Sequence, residues 1–296
     1  MSGPPPYRSG LVALAGRPNV GKSTLANALA GSHVAAVSPR PQTTRRRITA
    51  VVHGEGWQAV LLDLPGFQRP ADALTSRMQA TVDQNLADCD AAVYVLNASE
   101  PVGGGDRFIA ERLRASRLPV ITVVNQIDRV SPDELVAAIA RASSLVDFVE
   151  LHPVSARRGD GVDELRADLP QLLSEGPHYF PEGMATDQTE EELAAELIRE
   201  AALMRLRQEI PHALAVDVRE MEPARHGVVV RASVLVETES QKAIVVGRGG
   251  AMIRDIGSSA RSALGRLWGT EVHLDLTVRV RKHWRDDESM LTRLGL

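Results

Sequence analysis

The sequence predicts an α/β domain, in which helices cover both faces of a mainly parallel sheet, followed by a smaller α+β domain. Three observations carry that expectation. From Leu11 to Leu173, short apolar runs rich in β-branched residues alternate with segments of helical periodicity. The alternation breaks at "SEGPHYFPEGMATDQTEEE", where Gly, Pro and acidic residues interrupt it. Beyond the break the order changes to helix, two strands, two helices, strand.

Each element follows from its own stretch of chain. Residues 1–9, "MSGPPPYRS", are Pro-rich and expected to be disordered. The first domain is placed at 10–175. In it, the strand "LVALAG" leads to a helix from Lys22, and "AVLLDLPG" to a helix running through Met78. "AAVYVLNA" leads to one through Leu113, "PVITVVN" to one after Pro132, and "FVELHPVSA" to one from Val162 to Leu173. Such alternation puts a ligand at the C-terminal strand ends. A linker is placed at 176–188, and a second domain with a C-terminal tail at 189–296. Thr189 and Glu192 make a capping box that opens one long helix, "TEEELAAELIREAALMRLRQEI". The strands "LAVDVREME" and "GVVVRASVLVE" follow, then a helical region broken by "GRGG", and last the strand "EVHLDLTVRVRKH".

Composition narrows the function classes. The 296 residues suffice for about two domains, and 44% hydrophobic with 24% charged residues is ordinary for a globular protein. A lone cysteine, Cys89, excludes a disulfide framework and a Cys-rich zinc site. No export signal or membrane-length apolar run is present, so a cytoplasmic location is expected. No histidine joins another His, Cys or carboxylate cluster at metal-ligand spacing; His33, His53 and His152 read as surface or strand residues. Trp268 and Trp284 read as core anchors. The net charge of −4 makes no global case for a polyanion partner, but Arg225 to Arg285 holds eleven basic and five acidic residues. A solvated basic face is the plain alternative. Only three of the 34 basic residues are lysines: Lys22, Lys242 and Lys282.

The chemistry of the first domain begins at "GRPNVGKST". Gly16, Arg17, Pro18, Asn19, Val20, Gly21, Lys22, Ser23 and Thr24 fit GxxxxGK[ST] between a strand and a helix. The loop's backbone N–H groups can close on phosphate oxygens, Lys22 supplies a charge at the β and γ phosphates, and Ser23 can ligate Mg²⁺. In "DLPG", Asp63 can approach Mg²⁺ and the Gly66 N–H can meet a γ-phosphate. The polar segment "SHVAAVSPRPQTTRRR" can carry a switch loop whose Thr44 joins the metal. Thr44, Asp63 and Gly66 are therefore the catalytic candidates, with Ser23, Thr44 and Asp63 as metal ligands. After the next strands, Asn125, Gln126 and Asp128 stand where a guanine can be read, the Asp carboxylate accepting from N1–H and N2–H. Ser155 and Ala156 follow the next strand and offer backbone N–H groups to the base oxygen. The order of these pieces predicts binding of GTP and GDP with Mg²⁺. An ATP-dependent kinase fails on Asn125 and Asp128.

With these residues in place the chain resembles the Era family of GTPases, through "GRPNVGKST", "PQTTR", "DLPG", "NQID" and "SA". The likeness continues through "HYFPEG", "ESQKAIVVGRGGAMIRDIG" and "LDLTVRVRKHWRDDESMLTRLGL". The resemblance implies an α/β P-loop GTPase domain followed by an α+β type II KH domain. It also implies GTP hydrolysis coupled to maturation of the small ribosomal subunit, binding of single-stranded RNA at the 3′ end of 16S rRNA, and peripheral membrane association. No amphipathic anchor is evident for the last. A monomer is expected.

Two departures from the family pattern stand out. The family has Lys where this chain has Gln126, its stem over the guanine ring and its ammonium reaching toward the phosphate loop. Loss of that contact is expected to weaken nucleotide binding by about 1 to 3 kcal/mol; the alternative is that Gln126 covers the ring equally well. Leu64 replaces a common Thr, as packing. The position after DxxG, where some GTPases carry a water-orienting Gln, holds Phe67, so slow hydrolysis is expected, with Thr44 as the best remaining organiser and Gln68 a remote one.

In the second domain, Gly247, Arg248, Gly249 and Gly250 form a GxxG turn between helices. Alone it would be a simple interhelical turn. With the α-β-β-α-α-β order, the local positive charge and the resemblance, it reads as the KH turn, where backbone approaches RNA phosphates beside a groove for about four bases. Arg248 and Arg254 are the expected phosphate contacts, followed by Lys242 and Arg261. Aromatics are 3% of the chain, which argues against an aromatic stacking platform. The expected whole is a GTP-dependent RNA-binding switch in which nucleotide state alters how the KH domain meets rRNA. The alternative is an RNA-binding assembly factor of the same fold with a silent nucleotide site.

Overall fold

The computed structural model describes residues 6–40, 43–65, 72–206 and 210–296. Its contacts divide the chain into two compact units, one of residues 1–35, 44–69 and 78–187, the other of 36–43, 70–77 and 188–296.

In the first unit, β1 (Arg8–Ala15), β3 (Trp57–Asp63), β4 (Ala91–Asn97), β5 (Val120–Asn125) and β6 (Glu150–Val154) are parallel, and β2 (Ile48–Gly54) pairs antiparallel with β3. The order is β2-β3-β1-β4-β5-β6, with the two-residue β7 (Ser174–Glu175) antiparallel to β1. The central strands are apolar on both faces because helices cover both. Val12, Leu14, Val93, Val95 and Ile121 pack with α1 (Lys22–Ala30) and α5 (Val162–Asp168) on one side. Ala13, Val60, Tyr94 and Val124 pack on the other with α2 (Ala73–Asp88), α3 (Gly104–Ser116) and α4 (Pro132–Ser143). Ser131 caps α4 in a capping box with Glu134.

Three features differ from the sequence expectation. β1 starts at Arg8, and the Tyr7 ring stacks on His178 at 3.6 Å, so ordered structure begins inside the stretch expected to be disordered. β2 is a strand that the sequence reading did not include. The segment expected as a linker lies on the first unit instead: Val51 N–H donates to the Ala185 carbonyl at 2.8 Å, Thr49 to Asp187 at 3.0 Å, and the buried Gln58 amide to the Phe180 carbonyl at 2.9 Å.

In the second unit, α6 (Glu190–Leu203) opens with the anticipated Thr189–Glu192 capping box but ends at Leu203, short of the single long helix expected; a further turn, α7 (Ile210–Ala213), is separate. β8 (Ala215–Ala224) and β9 (Gly227–Val236) are antiparallel, and β10 (Val272–Val280) joins β9 in parallel. α8 (Glu239–Val246) and α9 (Ala251–Trp268) flank the glycine turn. The C-terminal tail forms a helix, α10 (Glu288–Arg293). Trp284 is buried and donates through Nε1 to the Ala213 carbonyl at 2.9 Å, as expected of an anchor, whereas Trp268 is partly buried at the rim of a smaller core. Among the described residues no helix is long and apolar enough to cross a membrane.

Candidate nucleotide and RNA sites

The phosphate loop leaves β1 at Gly16 and enters α1 at Lys22. A Cβ at Gly16 would meet the Val95 carbonyl at 2.5 Å, and Gly21 has φ 97 with its missing Cβ 2.3 Å from the Asn125 amide. Both positions therefore admit only glycine. Asn19 also adopts a left-handed backbone, φ 65. Lys22 is 7% exposed, and its Nζ donates to the Gly16 and Arg17 carbonyls at 3.0 and 3.1 Å, inside the loop. Burial pushes its ammonium below the ordinary lysine range, against the pull of Asp63. An anion in the loop would offset that burial. Val20 is core, and the Arg17 side chain turns away to Asp106 at 2.7 Å and Glu100 at 3.0 Å, so these two contribute backbone alone.

Three oxygens from three segments converge beside Lys22. Ser23 Oγ donates to Asp63 Oδ2 at 2.6 Å, Thr44 Oγ1 donates to the same oxygen at 3.1 Å, and the two hydroxyls lie 2.9 Å apart. Asp63, at the end of β3, is fully buried. A small set of hard oxygen donors on hydroxyls and a carboxylate suits Mg²⁺, which retains waters and substrate oxygens for its remaining positions. Gly66, Phe67 and Gln68 lie outside the described residues.

The base end is organised by Asn125. It is 2% exposed and uses both ends of its amide on protein: Nδ2 donates to the Val20 carbonyl at 2.9 Å, while Oδ1 accepts from Gln126 N–H at 2.8 Å and Ala156 N–H at 3.0 Å. It thus stitches the phosphate loop, the end of β5 and the Ser155–Ala156 loop together. Asp128 is the further candidate for reading a base. Its Oδ1 accepts from the buried Ser155 hydroxyl at 2.7 Å, which holds the carboxyl below the ordinary range and orients it. Gln126, with φ 66, donates through Nε2 to the Asn19 carbonyl at 3.0 Å. A neutral amide therefore makes the tie to the phosphate loop that the sequence reading assigned to a lysine.

In the second unit the glycine turn has positive φ at Gly247 (72), Gly249 (59) and Gly250 (77). A Cβ at Gly247 would meet Met252 Cβ at 2.7 Å, whereas nothing lies within 4 Å of one at Gly249. The turn is thus tightly bent and open at its tip. Arg248 is exposed there, as is Arg261 further along α9. Arg254 donates to the Gly249 carbonyl at 2.7 Å, bracing the turn, and Lys242 lies 3.8 Å from Glu239. Ile244, on α8 three residues before Gly247, is an apolar side chain left 49% exposed, which sequence reasoning did not single out. A polar residue is the ordinary expectation at such a site, so the exposure of Ile244 was not legible without the fold. Among the described residues no group of three or more His, Cys, Asp or Glu could hold a metal.

Comparison with known proteins agrees with this geometry. Residues 11–126 match the family model for a 50S ribosome-binding GTPase, and residues 209–285 match a KH domain. The chain is 46% identical over 297 residues to the GTPase Era of Mycobacterium tuberculosis, covering 98% of this chain and 99% of that one. To the GTPase Era of Mycobacterium avium it is 45% identical, with the same coverage. An Aquifex aeolicus Era variant bound to GDP.AlF4⁻ superposes with a TM-score of 0.92 at 34% identity, over 98% of this chain and 99% of that one. An Era complex with MgGDPNP and nucleotides 1506–1542 of 16S ribosomal RNA gives the same values. A phosphate loop and guanine pocket joined to a type II KH domain, matched along nearly the whole length, place the chain in the Era family of GTPases.

Proposed function

We propose that the protein binds and hydrolyses GTP with Mg²⁺, binds single-stranded RNA at the 3′ end of 16S rRNA through its KH domain, and acts in maturation of the small ribosomal subunit. The convergence of Ser23, Thr44 and Asp63 within 3.1 Å beside Lys22 is the observation that carries the nucleotide part. The Era complex with MgGDPNP and 16S rRNA nucleotides supports the RNA part.

The loop amides and the N-terminus of α1 face the phosphates, and Lys22 exchanges its two carbonyl partners for phosphate oxygens. Bound Mg²⁺ supplies positive charge to the β and γ phosphates. Ser23, Thr44 and Asp63 hold it. Asp128, oriented by Ser155, accepts the N1 and N2 hydrogens of guanine, which adenine does not present in that arrangement. Turnover is slow, since Phe67 occupies the position after Gly66 and leaves Thr44 to organise the water. GTP hydrolysis alters the hold on Thr44, and this changes how the KH domain meets RNA. Titrations with GTP, GDP and ATP, phosphate release, and binding of an oligonucleotide of the rRNA 3′ end test the reading. Equal affinity for ATP and GTP would overturn it. RNA binding without measurable nucleotide binding would favour the silent-site alternative, against which the Gln126–Asn19 bond argues.

A further inference from the structure

β10 alternates strictly. Leu274, Leu276, Val278 and Val280 pack into the core with α8 and α9, so Arg279 and Arg281 project from the opposite face of the sheet. On that face the strands and α10 line an open cavity of about 280 Å³. Its lining brings four guanidinium groups, Arg219, Arg279, Arg281 and Arg293, around one carboxylate, Asp217, with Leu235 and Met290 as its apolar part.

The charges are unequally satisfied. Arg293 donates to both oxygens of the buried Asp217, at 3.3 and 3.0 Å, and Arg219 lies 3.9 Å from it. Arg279 and Arg281 are exposed, and among the described residues their guanidinium groups take part in no hydrogen bond or ion pair. Asp217 is the one carboxylate of the lining and Asp287, at the start of α10, acts on Arg281 from outside it, so positive charge stays in excess and an anion in its midst stabilises the arrangement. Guanidinium forks match phosphate oxygens two at a time. No aromatic ring lines the cavity to serve as a stacking platform, and the excess of guanidinium charge favours phosphates as the recognised group. Alternate residues of a strand stand about 6.6 Å apart, an interval comparable to that between neighbouring phosphates of a nucleic-acid strand.

We propose that this cavity holds backbone phosphates of RNA, making a second RNA contact on the sheet face opposite the helices of the glycine turn. The inference rests on the RNA-binding reading given above. Arg279 and Arg281 would each meet one phosphate, while Asp217 fixes Arg293 as the wall.

The test is the salt dependence of RNA binding by the full-length protein, with the nucleotide site kept filled by Mg²⁺ and GDP. The probe is a single-stranded oligonucleotide of the rRNA 3′ end. For single strands, log K falls with log salt by about 0.7 per neutralised phosphate, so R279A/R281A should flatten the slope by about 1.4. It should weaken binding equally for oligonucleotides of altered sequence. R279K/R281K, which keeps the charges, should restore the slope. Both positions are exposed, and removing two of the clustered charges relieves their repulsion, so the melting temperature of the RNA-free protein should hold or rise, not fall. If the wild type binds RNA and the double alanine variant keeps its slope, the inference fails while the RNA-binding reading stands. If the wild type binds no RNA, that reading fails with it.

Discussion

Replacing Gln126 measures how much nucleotide affinity one amide supplies. Its Nε2 donates to the Asn19 carbonyl at 3.0 Å and ties the end of β5 to the loop that wraps the phosphates. A neutral hydrogen bond contributes about 0.5 to 1.5 kcal/mol net, and solvent access puts this one at the lower end. Gln126→Ala should therefore weaken GDP and GTP binding by about 0.5 to 1 kcal/mol, roughly two- to fivefold. Gln126→Lys substitutes a charge-assisted bond about twice as strong and should tighten binding by about 1 kcal/mol, or roughly fivefold. Both replacements carry a Cβ at φ 66, so backbone strain cancels from the comparison. Titration of purified protein with fluorescent GDP and GTP analogues in Mg²⁺ gives the two dissociation constants. They should shift together, because the amide touches the loop and not the γ-phosphate. Unchanged constants in both variants, or weaker binding by the lysine variant, would refute the reasoning.

Asp128→Asn turns an acceptor into a donor and should shift preference from guanine to xanthine nucleotides in a competition titration. Because the Ser155 bond depresses the Asp128 pKa, its contribution persists as pH falls through the ordinary carboxylate range and is lost only below it; Ser155→Ala should move that loss to higher pH, as nucleotide titrations from pH 3.5 to 7, roughly spanning the ordinary value, will record. Lys22→Met should abolish nucleotide binding yet raise the melting temperature of the nucleotide-free protein at neutral pH, since it removes a buried cation. Correspondingly, the wild type should gain stability as pH rises from the depressed Lys22 pKa toward the ordinary lysine value. Gly247→Ala adds a methyl that meets Met252 at 2.7 Å in a positive-φ residue, and should reduce RNA binding in gel-shift assays at least severalfold while leaving GTP hydrolysis unchanged.

Much of this was legible because the chemistry sits on contiguous motifs. The phosphate loop, Asp63 and the Asn125 to Asp128 stretch each lie where a strand ends, and alternation alone locates those ends. The glycine turn was equally plain, since positive φ leaves few residues to choose from. What escaped depended on partners distant in sequence. Asn125 reads from the sequence as a base contact, and only the fold shows that its amide also ties Val20, Gln126 and Ala156 together. Nothing local announces the Asn19 carbonyl as the acceptor for Gln126. β2 hid behind the polar segment before it, and the Arg279–Arg281 cavity required folding to bring three strands and the C-terminal helix together.

The stretch from Gly176 to Asp187 has the composition of a connector, but its position along β2 gives it a different consequence. An open sheet has two rims whose unpaired amides can recruit a strand from a neighbouring molecule. At one rim, Ala185 and Asp187 cover β2 through Val51 and Thr49; at the other, Pro153 within β6 removes a donor altogether. A shortened protein ending before Met184 would lose the first of these guards and should clump at concentrations the full chain tolerates.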